Sequence, residues 1–203
     1  MEYKVYRELP ILFKGEMVRR IIANKKHKTR RLKAPWNVGD YLWVREQFNY
    51  VEGDGTPSDF GIHYYATDTI NWWVDHECWM NYPINPKKMP SIFMPKWASR
   101  ITLEVTEKYQ ERLQDITDYE CLEEGIEYRE EDGSDIRDNF AKLWNSINAK
   151  PKPVLENKKI SHYVSYPWED IQETRIYRGK EWFVIGNPIV WVTGFKVLDI
   201  KGI

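Results

Sequence analysis

The chain has 203 residues, with 30 Lys and Arg against 31 Asp and Glu and a formal net charge of -1. That balance excludes a generally basic nucleic-acid coat, so any phosphate binding has to come from local clustering. No apolar run approaches the roughly 18 residues of a membrane-spanning helix, and the two cysteines, Cys78 and Cys121, lack the spacing of a disulfide framework or a structural zinc site. The chain opens without a charged-then-apolar leader, which predicts a cytoplasmic protein.

In chain order, a short apolar strand is expected at Ile11 to Phe13, followed by a helix carrying Met17, Ile21 and Ile22 on one face. From Lys25 to Lys33, six of nine residues are Lys or Arg. Read from the sequence, this run continues the helix end, where cations complement the dipole. "APWNVGD" is turn chemistry, and "YLWVREQF" alternates as a strand with Leu42, Val44 and Glu46 on one face and Trp43, Arg45 and Gln47 on the other.

An aromatic-rich segment without clear periodicity, about 49–95, reads as an insertion. "SRITLEVTEKYQERL" is a strand, "DITDYECLEEGI" a capped helix closed by Gly125, and "RDNFAKLWNSIN" an amphipathic helix. A second insertion or extended arm is expected at about 150–185, and "IVWVTGFKVLDI" closes the chain as a strand. Few strands mixed with helices predict an α+β fold of one domain over 1–203: a small mixed β-barrel with helices packed beside it and two insertions.

The ordered set Gly15, Ile21, Lys26, Thr29 and Arg31, then "VGDYLWVRE", "SRITLEV", "LQDITDYECLEEGI", "LWNSIN" and "NPIVWVTGF", resembles the ASCH domain of the PUA-like superfamily. The likeness is to its longer branch, associated with phages and prophages. It implies a PUA-like barrel with a cleft for RNA or modified nucleosides. The short bacterial members are amidohydrolases that remove the acetyl group of N4-acetylcytidine with a Lys, a Thr three residues later and a Glu on a following helix. Those roles fall on Lys26, Thr29 and Glu124, with Glu123 as the alternative acid. Other members of the family bind or cleave RNA, so a non-catalytic binding module and a ribonuclease stay open beside the hydrolase.

Amide hydrolysis needs a nucleophile, a proton carrier and a group that stabilises the oxyanion. Thr29 offers a hydroxyl. Lys26 serves as base only if its amine loses its proton near neutrality, which burial and like-charged neighbours favour. An ionised Glu124 works against that, so the two titrate as a unit. Arg31 is suited to a phosphate or the oxyanion.

Lys25, Lys28 and Arg30 form the expected phosphate-binding set. Arg45, Glu46, Trp97 and Arg100 are further candidate substrate contacts, Trp97 as a stacking ring or a structural plug. Of the adjacent pair Trp72 and Trp73, one is expected to be exposed. His63, His76 and Cys78 do not have the spacing of a zinc motif, and Cys121 falls in an apolar phase of its helix. The sequence therefore predicts no metal or other cofactor, a nucleoside or RNA partner, and no membrane association.

Overall fold

A computed structural model describes residues 6–52, 60–73, 88–128, 133 and 135–201. It is a mixed α+β structure, mostly sheet with few helices, and no closed barrel forms among the described residues. No described helix is long and apolar enough to cross a membrane. The chain divides into two compact units: Met1–His27, Trp36–Thr106 and Gly194–Ile203 make the first, and Lys28–Pro35 and Glu107–Thr193 the second.

In the first unit, β1 (Glu8–Leu12) runs parallel to β3 (Tyr41–Arg45), with Ile11 opposite Val44. β3 lies antiparallel to the opening half of β7 (Ile101–Arg112), with Leu42 opposite Leu103. The alternation read in the sequence is the alternation of burial. Leu42, Val44, Ile101, Leu103 and Val105 are all at most 1% exposed, as inward positions of period-2 strands should be. α1 (Gly15–Ile22) adds Met17, Val18 and Ile21 to this core. "NVGD" is a turn, as its composition suggests. Gly39 sits at φ 91, and Asp40 accepts from the backbone of Asn37 at 2.7 Å and from Arg7 Nη2 at 2.6 Å.

The first stretch read as an insertion contains order that its sequence hid. β4 (Phe48–Glu52), β5 (Phe60–Tyr64) and β6 (Thr69–Trp73) form an antiparallel three-stranded sheet. Phe48, Tyr50, Ile62, Tyr64, Met94 and Ala98 pack as its core. Gly61 is required there: a Cβ would come within 2.8 Å of Ile70 and 3.0 Å of Trp72 and Val51. Trp72 is exposed, in line with the expectation for the tryptophan pair.

The basic run departs from the expected helix end. α1 stops at Ile22, Asn24 takes a left-handed φ of 54, and the chain re-emerges as β2 (Lys28–Arg31). The reason is local: a left-handed residue directs the chain off the helix axis, and Asn tolerates that conformation. Lys26 and Thr29 therefore do not share a helical face, and along β2 the side chains alternate instead.

In the second unit the strand order is β7, β12 (Ile189–Ile200), β2. α2 (Asp118–Glu123) starts at a complete capping box between Thr117 and Glu120 and ends at Gly125, φ 82. α3 (Ile136–Asn148) is capped by Asp135. Leu113, Ile116, Cys121, Ile136, Phe140, Trp144 and Val190 make one apolar core beneath these helices. The arm expected at 150–185 is a four-stranded sheet in the order β10 (Gln172–Tyr177), β11 (Lys180–Ile185), β9 (Lys159–Ser165), β8 (Lys152–Glu156).

Candidate functional site

The second unit concentrates charge on one face of β2. Lys28 and Arg30, two residues apart on the strand, point the same way, towards Glu107, Tyr109 and Glu111 at the same spacing on β7. Helix α2 supplies Glu120 and Glu123, and its C-cap residue Glu124 completes the set at helical spacing from Glu120.

Arg30 is the centre. Its side chain is fully buried, with Nε 2.6 Å from Glu111 and Nη1 3.4 Å from Glu124. Nη2 lies 3.1 Å from Glu120, an attraction of charges without an aligned N–H. Lys28 reaches Glu123 at 3.1 Å, Glu107 at 3.2 Å and Glu120 at 3.4 Å. Tyr109 donates its hydroxyl to Glu120 at 2.9 Å.

The titration of the cluster follows from that geometry. Burial acts to lower the pKa of Arg30, but Glu124, Glu111 and Glu120 outweigh it, and the net shift is upward. Lys28 behaves alike: burial is overcome by Glu123 and Glu107, and its amine is held charged. Glu120 resists burial through the Thr117 backbone N–H, Tyr109 and Arg30, which bring its pKa down to about 2. Glu111 goes the other way, because burial exceeds the pull of Arg30. Tyr109 is pushed up to about 12 by burial and by Glu120, so it stays a donor at neutral pH.

Arg31, on the opposite face of β2, is half-buried. Burial lowers its pKa against the raising field of Glu124. Thr29, beside it in the chain, is 4% exposed and Glu124 is 5% exposed. Of the residues singled out in the sequence, Thr29, Arg31, Glu123, Glu124, Lys28 and Arg30 belong to this unit. Lys28 and Arg30 are tied to carboxylates, and Arg30 is not presented to solvent. Tyr109, Glu107, Glu111 and Glu120 were not singled out by the sequence reading. For Glu107, Tyr109 and Glu111 the signal was their two-residue repeat, at the same spacing as the cations at 28 and 30.

The remaining candidates belong to the first unit. Lys25 is exposed. Lys26 is only 2% exposed, with Nζ 5.6 Å from the centre of the Phe13 ring. Arg100 and Glu46 form a closed bidentate pair, Nε–Oε1 2.8 Å and Nη2–Oε2 2.9 Å. Arg100 also donates to Thr69 at 3.1 Å and lies 4.2 Å over the Tyr64 ring. Both side chains are 1% exposed, and the pair braces the sheet.

Arg45 lies 4.5 Å over the Trp43 ring, and Trp97 stacks on Tyr50 at 6.1 Å against the β4–β6 core. His63 is held by Asn49 and Asp68 at 3.1 and 2.7 Å. His76 and Cys78 lie outside the described residues, among which no group of three or more His, Cys, Asp or Glu is arranged to hold a metal. Cys121 is wholly buried, and burial raises its thiol to about 12, so it is protonated at neutral pH.

Comparison of the chain with family models, curated proteins and solved structures finds no match.

Proposed function

We propose that the chain is a PUA-like protein of ASCH type directed at a nucleoside, and that its specific activity is hydrolysis of the N4-acyl amide of a modified cytidine. One observation supports this reading above the others. The three polar residues that match the hydrolase pattern, Lys26, Thr29 and Glu124, are each withdrawn from solvent, at 2, 4 and 5% exposure. Solvated helix-end cations and surface acids would not be. Burying an amine or a carboxylate costs free energy, and it is the environment in which a lysine can act as a base.

In this mechanism Thr29 Oγ attacks the acyl carbonyl carbon while its proton passes to Lys26 Nζ. The C–N4 bond then breaks, N4 takes that proton and leaves as the free amine of cytidine, and the acyl group remains as an ester on Thr29. Water, deprotonated by Lys26, cleaves the ester to give acetate and restores the hydroxyl. Glu124 orients the exocyclic nitrogen and shares the proton traffic; Arg31 faces the developing oxyanion.

A ligand the size of a nucleoside fits the electrostatics better than a strand tracked by β2. The two cations that would track a phosphate backbone, Lys28 and Arg30, already serve five carboxylates between them. The test is turnover of N4-acetylcytidine followed by chromatography. Wild-type protein should release cytidine and acetate. Thr29→Ala and Lys26→Ala, shown to be folded by circular dichroism, should lose at least about a hundredfold in rate, as expected for a nucleophile or general base. Absence of turnover by the wild type on this and related acylated cytidines would overturn the reading.

A further inference from the structure

The four-stranded sheet of the second unit has no part in that chemistry, yet its construction is specific. β9 and β11 run parallel, with Tyr163 beside Trp182 and Val164 beside Phe183. Each is entered through a two-residue hairpin whose central residues have positive φ: Asn157 and Lys158 at 51 and 63, Arg178 and Gly179 at 51 and 73. Because the two entered strands are parallel, both hairpin tips project from the same end of the sheet. That end carries Lys158, Lys159, Arg178 and Lys180, all exposed, against Glu156 and Glu181.

Running back from the tips, one face of the sheet is aromatic. Register puts Arg175 opposite Trp182 and Tyr177 opposite Lys180. Tyr177 meets Tyr163 edge-on at 5.0 Å and Trp182 at 6.1 Å. Exposed Arg175 lies 5.1 Å over the Trp182 ring with its Nη2 donating to Glu173 on the same face, and exposed Arg178 lies 5.2 Å over Tyr177. The indole N–H of Trp182 is already given to Ser165 Oγ at 2.8 Å. What the rings still offer is therefore stacking area, held in place by a hydrogen bond and by ring-to-ring contacts. A guanidinium over an aromatic ring presents a second flat surface to a base.

We infer that this face is a platform for single-stranded RNA, with bases stacking along Trp182, Arg175 and Tyr177 and phosphates meeting the cations of the two hairpin tips. The match is one of charge and of flat area together. An acidic protein partner would use the cations but not the rings, and a duplex keeps its base faces occupied. The choice of RNA over DNA rests on the ribonucleoside reading above.

The test is fluorescence anisotropy of a labelled oligouridylate over a series of salt concentrations, using the full chain. Wild-type protein should bind, with log K falling linearly against log salt. The triple variant Lys158→Ala/Arg178→Ala/Lys180→Ala changes only exposed side chains, and the slope should become shallower by about 2, at roughly 0.7 per phosphate contact. Tyr177→Ala should weaken binding by about tenfold, whereas Tyr177→Phe keeps the stacking ring and should bind like the wild type. No binding by the wild type at low salt, or equal binding by the triple variant, would overturn the platform. An oligodeoxyuridylate bound as tightly as the oligouridylate would overturn its assignment to RNA. Turnover of free N4-acetylcytidine in the same variants separates the two claims. If turnover persists without oligomer binding, the platform alone is wrong; if oligomer binding persists without turnover, the platform stands and the hydrolase does not.

Discussion

Two buried arginines in this protein solve the same problem in different ways. Arg100 has one carboxylate partner, Glu46, engaged through two matched hydrogen bonds, and a ring beneath it. Arg30 has three carboxylates around it, and a neighbouring lysine shares one of them. A guanidinium matched to one carboxylate is electrically closed, and its stability contribution is the attraction of a well-aligned pair less the cost of desolvating both charges. Five carboxylates arranged around two cations are not closed, because negative charge outnumbers positive. The first arrangement suits a brace. The second makes a shared network of charges, and it includes Glu124, one of the proposed catalytic groups.

The largest effect should come from breaking each centre. Arg100→Met leaves Glu46 buried and unpaired, and Arg30→Met leaves three carboxylates without their shared cation. Each should cost about 3–5 kcal/mol in urea unfolding. The contrast lies in repair. Arg100→Met with Glu46→Leu replaces a closed pair by apolar groups and should recover most of the loss. Arg30→Met with any single Glu→Gln change should not. Equal recovery in both would erase the distinction.

A smaller effect sharpens the comparison through pH. Glu120 has a folded pKa of about 2, below its ordinary value of 4.5. Its contribution to stability is therefore complete above about pH 4.5 and is lost as pH falls from there towards 2. Glu111, raised by burial, has the opposite sign: it favours the folded state as it takes up a proton and disfavours it as pH rises. Unfolding measured at pH 5 and pH 3 should show acid destabilisation of the wild type that is reduced in Glu120→Gln. An unchanged acid response in that variant would contradict the assignment.

The smallest effect is a rate. With its thiol raised to about 12 and no exposed surface, Cys121 in a Cys78→Ser background should be unreactive towards Ellman's reagent at pH 7 until the protein is unfolded. Rapid labelling of the folded protein would show that the core beneath α2 is open.

Much of the frame was legible because its signals are short-range. The period-2 run "ITLEV", the capping box at Thr117–Glu120 and the stripe of Phe140 and Trp144 each specify their element locally. β2 was not legible. "KTRR" carries no apolar alternation, and a cationic run after a helix is usually read as its end; the reversal depends on one left-handed residue, Asn24. The same holds for β4–β6, whose pairing is cross-strand and whose tight approach at Gly61 is a tertiary fact. Burial of Lys26, Thr29 and Glu124 is tertiary too. The motif could nominate these residues, while only packing could withdraw them from water.

The central claim is that a cytidine is received by the groups of the 26–31 segment together with the end of α2. Backbone amide NMR during titration with cytidine, the product of the proposed reaction, tests it most directly. Saturable shifts concentrated at residues 26–31 and 121–126, and abolished by Glu124→Ala in a folded protein, are the predicted result. A wild-type spectrum unmoved by cytidine, or shifts confined to other parts of the chain, would contradict it.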